Sequence, residues 1–142
     1  IRLEFLGRGH TGGDIVVHLP AERVVFTGDL LYSGVSYLGD AFVPDYVETL
    51  ERLKKLDFDT VVPGHGRVFN GKERADALQA YLADFWEQVT ALYEQGVGVE
   101  VAMQTVDMRA HAGNYPQLRA VGVDRESVER AYELLGEIRA RR

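Results

Sequence analysis

The most constraining stretch of the chain is Val24-Val25-Phe26-Thr27-Gly28-Asp29, an apolar run of strand-forming residues that stops at a glycine followed by an acid. A strand that delivers one carboxylate at its end is a common foundation for a metal or catalytic site. Two other segments share this form. Gly9-His10-Thr11-Gly12-Gly13-Asp14 follows the alternating run Ile1 to Leu6, and Pro63-Gly64-His65-Gly66 follows Thr60-Val61-Val62. His10, Asp29 and His65 thus stand at three strand ends, each among glycines that let the backbone turn sharply and leave room beside the side chain.

Composition narrows the chemistry. The chain has no cysteine, which excludes disulfides and thiolate zinc sites, so any metal must be held by His, Asp or Glu. A net charge of -6, from 16 basic and 22 acidic residues, gives no electrostatic reason to expect nucleic acid. No apolar run approaches the roughly 20 residues of a membrane span. With 142 residues and 46% hydrophobic content, the chain can bury a real core.

Periodicity predicts strands first and helices later. Residues 1–6 alternate as a half-buried strand, followed by a flexible loop from Gly7 to Gly13. Asp14 to Leu19 and Arg23 to Thr27 form an antiparallel hairpin around the Pro20 turn, and the continuous Val24-Val25-Phe26 predicts cover on both faces. Residues 30–44, with Tyr32 among them, form a loop suited to wall a substrate pocket. Asp45 and Glu48 make a capping-box pattern for a helix over 45–56 that buries Val47, Leu50, Leu53 and Leu56. Thr60 to Pro63 is a fourth strand. Lys72 to Gln95 reads as a long helix burying Ala75, Leu78, Leu82, Phe85, Val89 and Leu92, closed by Gly96-Val97-Gly98. Val99 to Val106 is a short helix or an irregular segment, and Ala110 to Val123 a surface loop. Asp124 caps a last helix that turns Val128, Tyr132, Leu135 and Ile138 inward, with Arg139, Arg141 and Arg142 at its C-terminal end. Because the alternation is already running at Ile1, the chain reads as a piece of something longer.

Imidazole and carboxylate are normal ligands for zinc and iron, and the two oxygens of Asp29 can bridge two cations. Such a pair of ions lowers the pKa of a bound water and polarises a substrate carbonyl or phosphoryl group. Each residue alone has a structural reading: Asp29 as a turn residue, His10 as a loop histidine satisfied by backbone. His65, between two glycines, has little packing to contribute. Together the three favour a metal site. His18, in a strand before Leu19-Pro20, reads as a surface side chain, and His111 as a solvated loop residue.

The three glycine-flanked segments, Gly9 to Asp14, Phe26 to Asp29 and Pro63 to Gly66, resemble the third, fourth and fifth metal motifs of the metallo-β-lactamase superfamily, in the right order and with a hairpin and a helix between them. The resemblance covers roughly residues 1–71 closely and the helical tail loosely. It implies an α/β fold, the C-terminal half of a four-layer αββα sandwich, over 1–71, with 72–142 as a helical extension packed on the same domain. It also implies that His10 ligates the first metal, His65 the second, and Asp29 both. Two zinc ions are the expected cofactors, with iron or manganese as alternatives. The family's HxHxDH signature is absent, and with it the Asp that would orient the attacking water.

Asp29 stands where zinc β-lactamases often carry cysteine, which argues against a dedicated lactamase. The run Phe26 to Gly34 is similar to glyoxalase II-like thioester hydrolases. The implied activity is hydrolysis of a small ester, thioester or amide by metal-bound hydroxide, with Tyr32 in the substrate pocket and this chain inactive alone. The alternatives are an iron-dependent persulfide dioxygenase-like parent, or a non-catalytic chain without stoichiometric metal that self-associates through its apolar sheet face. Its partners are then a small-molecule substrate and either a second copy or the missing half, with no nucleic acid and no membrane. The compartment stays open, with the cytoplasm favoured over the periplasm.

Overall fold

Two β-hairpin residues fix the geometry of the sheet. Pro20 cannot continue a paired strand, and Arg23, with φ of 56°, reverses the chain within one turn. The computed structural model describes residues 1–141; Arg142, expected at the end of the last helix, lies outside the described residues. The turn joins β2 (Ile15–Leu19) to β3 (Val24–Gly28) in antiparallel register, with Val17 opposite Phe26 and Leu19 opposite Val24. On the outer side, β1 (Arg2–Phe5) pairs antiparallel with β2. On the inner side, β3 pairs in parallel with β4 (Thr60–Pro63), reached through helix α1 (Val43–Lys54), and a short β5 (Phe69–Asn70) closes a sheet of order β1-β2-β3-β4-β5. The strand β5 is too short to show a sequence pattern and was not anticipated.

Arg23 also ties the far end of the sheet together. Its guanidinium binds Asp57 and Asp59, just before β4, with Nε 2.5 Å from Asp59 Oδ2. These hydrogen bonds hold the Asp59 carboxyl below its usual range. The clasp fixes the β3–β4 register, and the register decides which residues meet at the opposite end.

One face of the sheet is covered. Val16, Val25 and Val61 share a core with Tyr46, Leu50 and Leu53 of α1 and with Leu78, Leu82 and Phe85 of α2 (Glu73–Glu94). Each fully buried aliphatic or aromatic side chain contributes roughly 1.5–3 kcal/mol by leaving water. The other face is bare. Leu3, Phe5, Ile15 and Phe26 lie on it in register and are between 41% and 72% exposed. The expectations of a half-buried first strand and of cover on both faces of Val24 to Phe26 are therefore corrected: hydrophobicity alone does not reveal whether a second layer is present.

The helices depart from expectation at their ends. Asp45 does not cap α1. The N-cap is Phe42 with Pro44 in the first turn, and the Asp45 carboxylate is taken by Arg8, with Arg8 Nε to Oδ2 at 2.6 Å. The loop from Gly7 to Gly13 is held rather than flexible: Arg8 O accepts from Thr49 Oγ1 at 2.7 Å and Gly9 O from Phe42 N at 2.9 Å. After α2, Gly96 adopts φ of 72° and its N–H bonds Tyr93 O while Val97 N–H bonds Leu92 O, a Schellman closure. A short helix α3 (Val99–Thr105) follows.

Asp124 caps α4 (Arg125–Ala140) as expected, accepting from Ser127 N at 2.8 Å. The buried line of α4 is Ser127, Val128, Ala131 and Leu134, so Ile138 is exposed. Small residues allow the closest helix approach, Tyr132 and Leu135 pack partly buried against the core, and Ile138 alone of the expected line turns outward. The segment 110–123 is not merely a surface loop, since Tyr115 is buried against the core and Leu118 packs on it. His18 is buried, not superficial: its Nε2 donates to Asp57 O at 3.0 Å and its Nδ1 lies 3.4 Å from Glu4.

Candidate functional site

The register set by the Arg23 clasp brings the C-terminal ends of β3 and β4 together. Gly28 has φ of 54°, a left-handed conformation that glycine adopts without strain, and its carbonyl accepts from Gly64 N at 2.8 Å. A Cβ on Gly64 would collide with Asp29 Oδ1 and with the Gly28 backbone. Glycine at 64 is thus what lets the two strand ends approach. The turn beyond Asp29 is locked by Thr27 Oγ1 donating to Leu31 O at 2.8 Å and by Tyr46 Oη donating to Leu30 O at 2.9 Å. Burial pushes the Tyr46 phenol far above its ordinary range, so it remains a donor.

Asp29 and His65 meet directly, with Nε2 to Oδ1 at 3.3 Å. Both stay open, His65 with 71% and Asp29 with 40% of its side chain exposed. His10 and Asp29 line a shallow hollow of about 390 Å³, together with Asp14 and Thr27. The loop that carries His10 is shaped by Asp14, which accepts from Thr11 N at 3.0 Å and Thr11 Oγ1 at 2.8 Å. Asp14 was not singled out from sequence, although the Thr-x-x-Asp spacing of this turn is a local signal.

Of the three predicted ligands, Asp29 and His65 are in direct contact, while His10 shares with Asp29 only the lining of one hollow. They do not form a ready-made ion site: among the described residues no three His, Asp or Glu side chains are close enough to hold a metal. In kind the donors fit a divalent cation such as zinc. In number they fall short, since a catalytic zinc keeps three protein ligands and the shared carboxylate leaves each ion two from this set.

Tyr32 lies on the opposite flank of His65. The two rings meet edge to face with centroids 5.6 Å apart, and Tyr32 also borders a cleft of about 360 Å³. Arg74 and Ala77 of α2, Phe69 and Asn70 of β5, and Asn114 and Tyr115 of the segment after α3 form its other walls. These wall residues escape sequence reading because they come from three separate elements. Of the loop 30–44 only Tyr32 borders this cleft; Leu30, Leu31, Leu38 and Ala41 are buried in the core.

His111 is not solvated. It belongs to a short 3-10 turn, Arg109–His111, its Nε2 donates to Asp84 Oδ2 at 2.8 Å, and its ring meets Tyr81 edge to face. It lies away from the strand-end residues and serves the packing of the segment 109–116.

Comparison with known proteins identifies the strand-bearing part. Residues 2–65 match the family model of the Metallo-beta-lactamase superfamily. Human acyl-coenzyme A thioesterase MBLAC2 is 38% identical over 72 residues, 46% of this chain and 25% of that protein. Metallo-beta-lactamase type 2 of Bacteroides fragilis is 38% identical over 69 residues, 44% of this chain and 27% of that protein. The chain spans about a quarter of the length of these curated relatives. Among solved structures, VMB-1 matches with a TM-score of 0.51 at 30% identity, over 57% of this chain and 39% of that one. A metallo-beta-lactamase from Pontibacter korlensis gives 0.52 at 25%, over 57% and 40%.

Proposed function

We propose that this chain carries part of the active site of a metal-dependent hydrolase that acts on a small ester, thioester or amide. The observation that carries the reading is the open Asp29–His65 pair at 3.3 Å, with His10 lining a shallow hollow that Asp29 also borders. His10, Asp29 and His65 are the residues that would hold the metal. When bound, zinc in such a site supplies a Lewis acid and an acidified water. Asp29 anchors the arrangement from a turn that Thr27 and Tyr46 keep rigid. Tyr32 limits the orientation of the His65 ring and forms the lip of the cleft in which a substrate lies.

The thioester member of this class is favoured by the thioesterase relatives and by the carboxylate at position 29, where zinc β-lactamases often carry a cysteine. Residues 72–142 are read as a helical extension that walls the substrate cleft. The test is metal analysis of the purified chain beside Asp29→Ala. Zinc uptake that vanishes in Asp29→Ala supports the reading, whereas unchanged metal content in the variant refutes it. Iron in the purified protein would instead favour sulfur oxidation.

The bare sheet face supports a second reading, in which the chain self-associates without stoichiometric metal. Leu3, Phe5, Ile15 and Phe26 make a contiguous apolar surface of the sort that soluble monomers avoid. Sedimentation of the metal-free chain separates the readings: a dimer without zinc favours association, a zinc-loaded monomer the hydrolase.

A further inference from the structure

We propose that β1 is a docking edge for a second copy of this chain, the two strands pairing antiparallel about a two-fold axis at Leu3. The proposal is independent of the hydrolase reading, and it places self-association at the edge of the sheet rather than on its bare face. β1 stands at the end of the strand order, so among the described residues no strand pairs with its outer side. Such an edge is a template for another strand, and proteins blunt it with proline, lysine, bulges or a covering loop. Arg2-Leu3-Glu4-Phe5 has no proline and no lysine, and its ladder to β2 runs without a bulge from Arg2 opposite His18 to Phe5 opposite Ile15. It does carry charges, a usual deterrent, but one of each sign on the same face.

Those charges select one register. Side chains alternate between the two faces, and residues directly opposite in a ladder share a face. A two-fold axis perpendicular to the sheet keeps every side chain on its own face, so it must set one residue of β1 opposite its own copy. An axis at Arg2 sets arginine against arginine, and an axis at Glu4 sets glutamate against glutamate; like charges directly opposite destabilise a pair. An axis at Phe5 leaves both charges facing residues beyond the strand. The axis at Leu3 sets Arg2 opposite Glu4 of the second copy, and symmetry repeats that pair. On the other face the same register sets Ile1, 91% exposed, opposite Phe5, 56% exposed, and Leu3, 72% exposed, opposite its own copy. Arg2 is exposed, and Glu4 gives Oε1 to His18 Nδ1 at 3.4 Å, which leaves Oε2 for the pair. Charge and apolar surface therefore agree on one alignment.

The experiment is sedimentation of the full chain over a concentration series up to about 1 mM, with single-cysteine variants as reporters of position. The chain has no cysteine, so each introduced thiol meets only its own copy. Opposite residues of an antiparallel pair have Cα atoms about 4.5–5.5 Å apart, within disulfide reach. The chain is expected to dimerise, and Leu3→Cys to oxidise to a covalent dimer. Ile15→Cys, one strand inward on the bare face, should not. Arg2→Glu and Glu4→Arg each turn both attractive pairs into repulsive ones and should weaken the dimer by at least about tenfold. An equimolar mixture of the two variants should dimerise, as should the double variant Arg2→Glu/Glu4→Arg, because the pairs return with their signs exchanged. That rescue separates cross-strand pairing from loss of fold. A monomer throughout the series, a dimer indifferent to both single variants, or cross-linking at Ile15→Cys without Leu3→Cys would each overturn the proposal. No readout uses metal or turnover, so zinc uptake judges the hydrolase reading separately.

Discussion

The chain contains two histidine–aspartate pairs that look alike as residues and differ in every physical respect. His111 and Asp84 are 2.8 Å apart, with 14% and 33% of their side chains exposed. Asp84 is committed on both oxygens, since Oδ1 also accepts from Gln88 Nε2 at 2.8 Å, and Gln88 in turn exchanges bonds with the backbone of Asp107. The His111 ring packs on Tyr81, which packs on Tyr115. His65 and Asp29 are 3.3 Å apart and open, flanked by glycines and one tyrosine edge. The closed pair joins two segments of the fold. The open pair sits at two strand ends held in place by other contacts, so its donors remain available. The proposed function follows from which pair the packing leaves unspent.

That contrast is sharpest in stability. His111→Ala leaves the Asp84 carboxylate without its charged-group hydrogen bond and opens space against Tyr81, and is expected to cost about 2–3 kcal/mol. His65→Ala should change stability by less than about 0.5 kcal/mol, as exposed positions do. Denaturant unfolding of both variants checks this, and an equal loss would erase the distinction. Gly64→Ala comes next, at about 1–3 kcal/mol, because the new Cβ meets backbone as well as Asp29 and the strand ends must separate. In metal binding the order of the two histidines reverses. His65→Ala should weaken zinc by about tenfold or more, roughly the loss of one ligand contact worth 1.4 kcal/mol, and His111→Ala should leave it unchanged. A competition titration with a chromogenic chelator reads both.

The same contrast explains what could be read from sequence. The hairpin was legible because alternation and the Pro20 turn are local, and the strand-end positions of His10, Asp29 and His65 were legible because glycine marks each one. The metal role of the three rests on resemblance and waits on the zinc titration. The error at Asp45 came from a partner 37 residues away, Arg8, which took the carboxylate that the capping-box pattern had assigned to the helix. His111 was misread for the same reason, its partner Asp84 being 27 residues distant. On α4 the face was legible at Val128, Tyr132 and Leu135 and failed only at Ile138, while Ser127 and Ala131 are buried for their size and not for their hydrophobicity. The cleft walls, Arg74 and Tyr115, carry no local mark at all.

The smallest expected effect concerns acid. Asp107 lies at the start of the segment that carries His111, and its carboxylate accepts from Arg109 N at 3.1 Å, Nε at 2.9 Å and Nη2 at 2.7 Å. The side-chain bonds first, and the backbone bond second, hold its pKa down to about 2. A carboxyl whose folded pKa is depressed binds fewer protons when folded than when unfolded at intermediate pH. Its contribution is therefore complete above the ordinary aspartate value of about 3.9 and is lost as pH falls from there through about 2. The pair is exposed and screened by solvent, so the change is small. Asp107→Asn should lower the unfolding midpoint slightly near neutrality and converge with the unchanged protein as pH falls from about 4 to 2, which flattens the acid limb. If the acid limb is equally steep in the variant, the closed region owes its acid sensitivity to other carboxylates, and the 109–116 segment is held by the Asp84–His111 pair without help from Asp107.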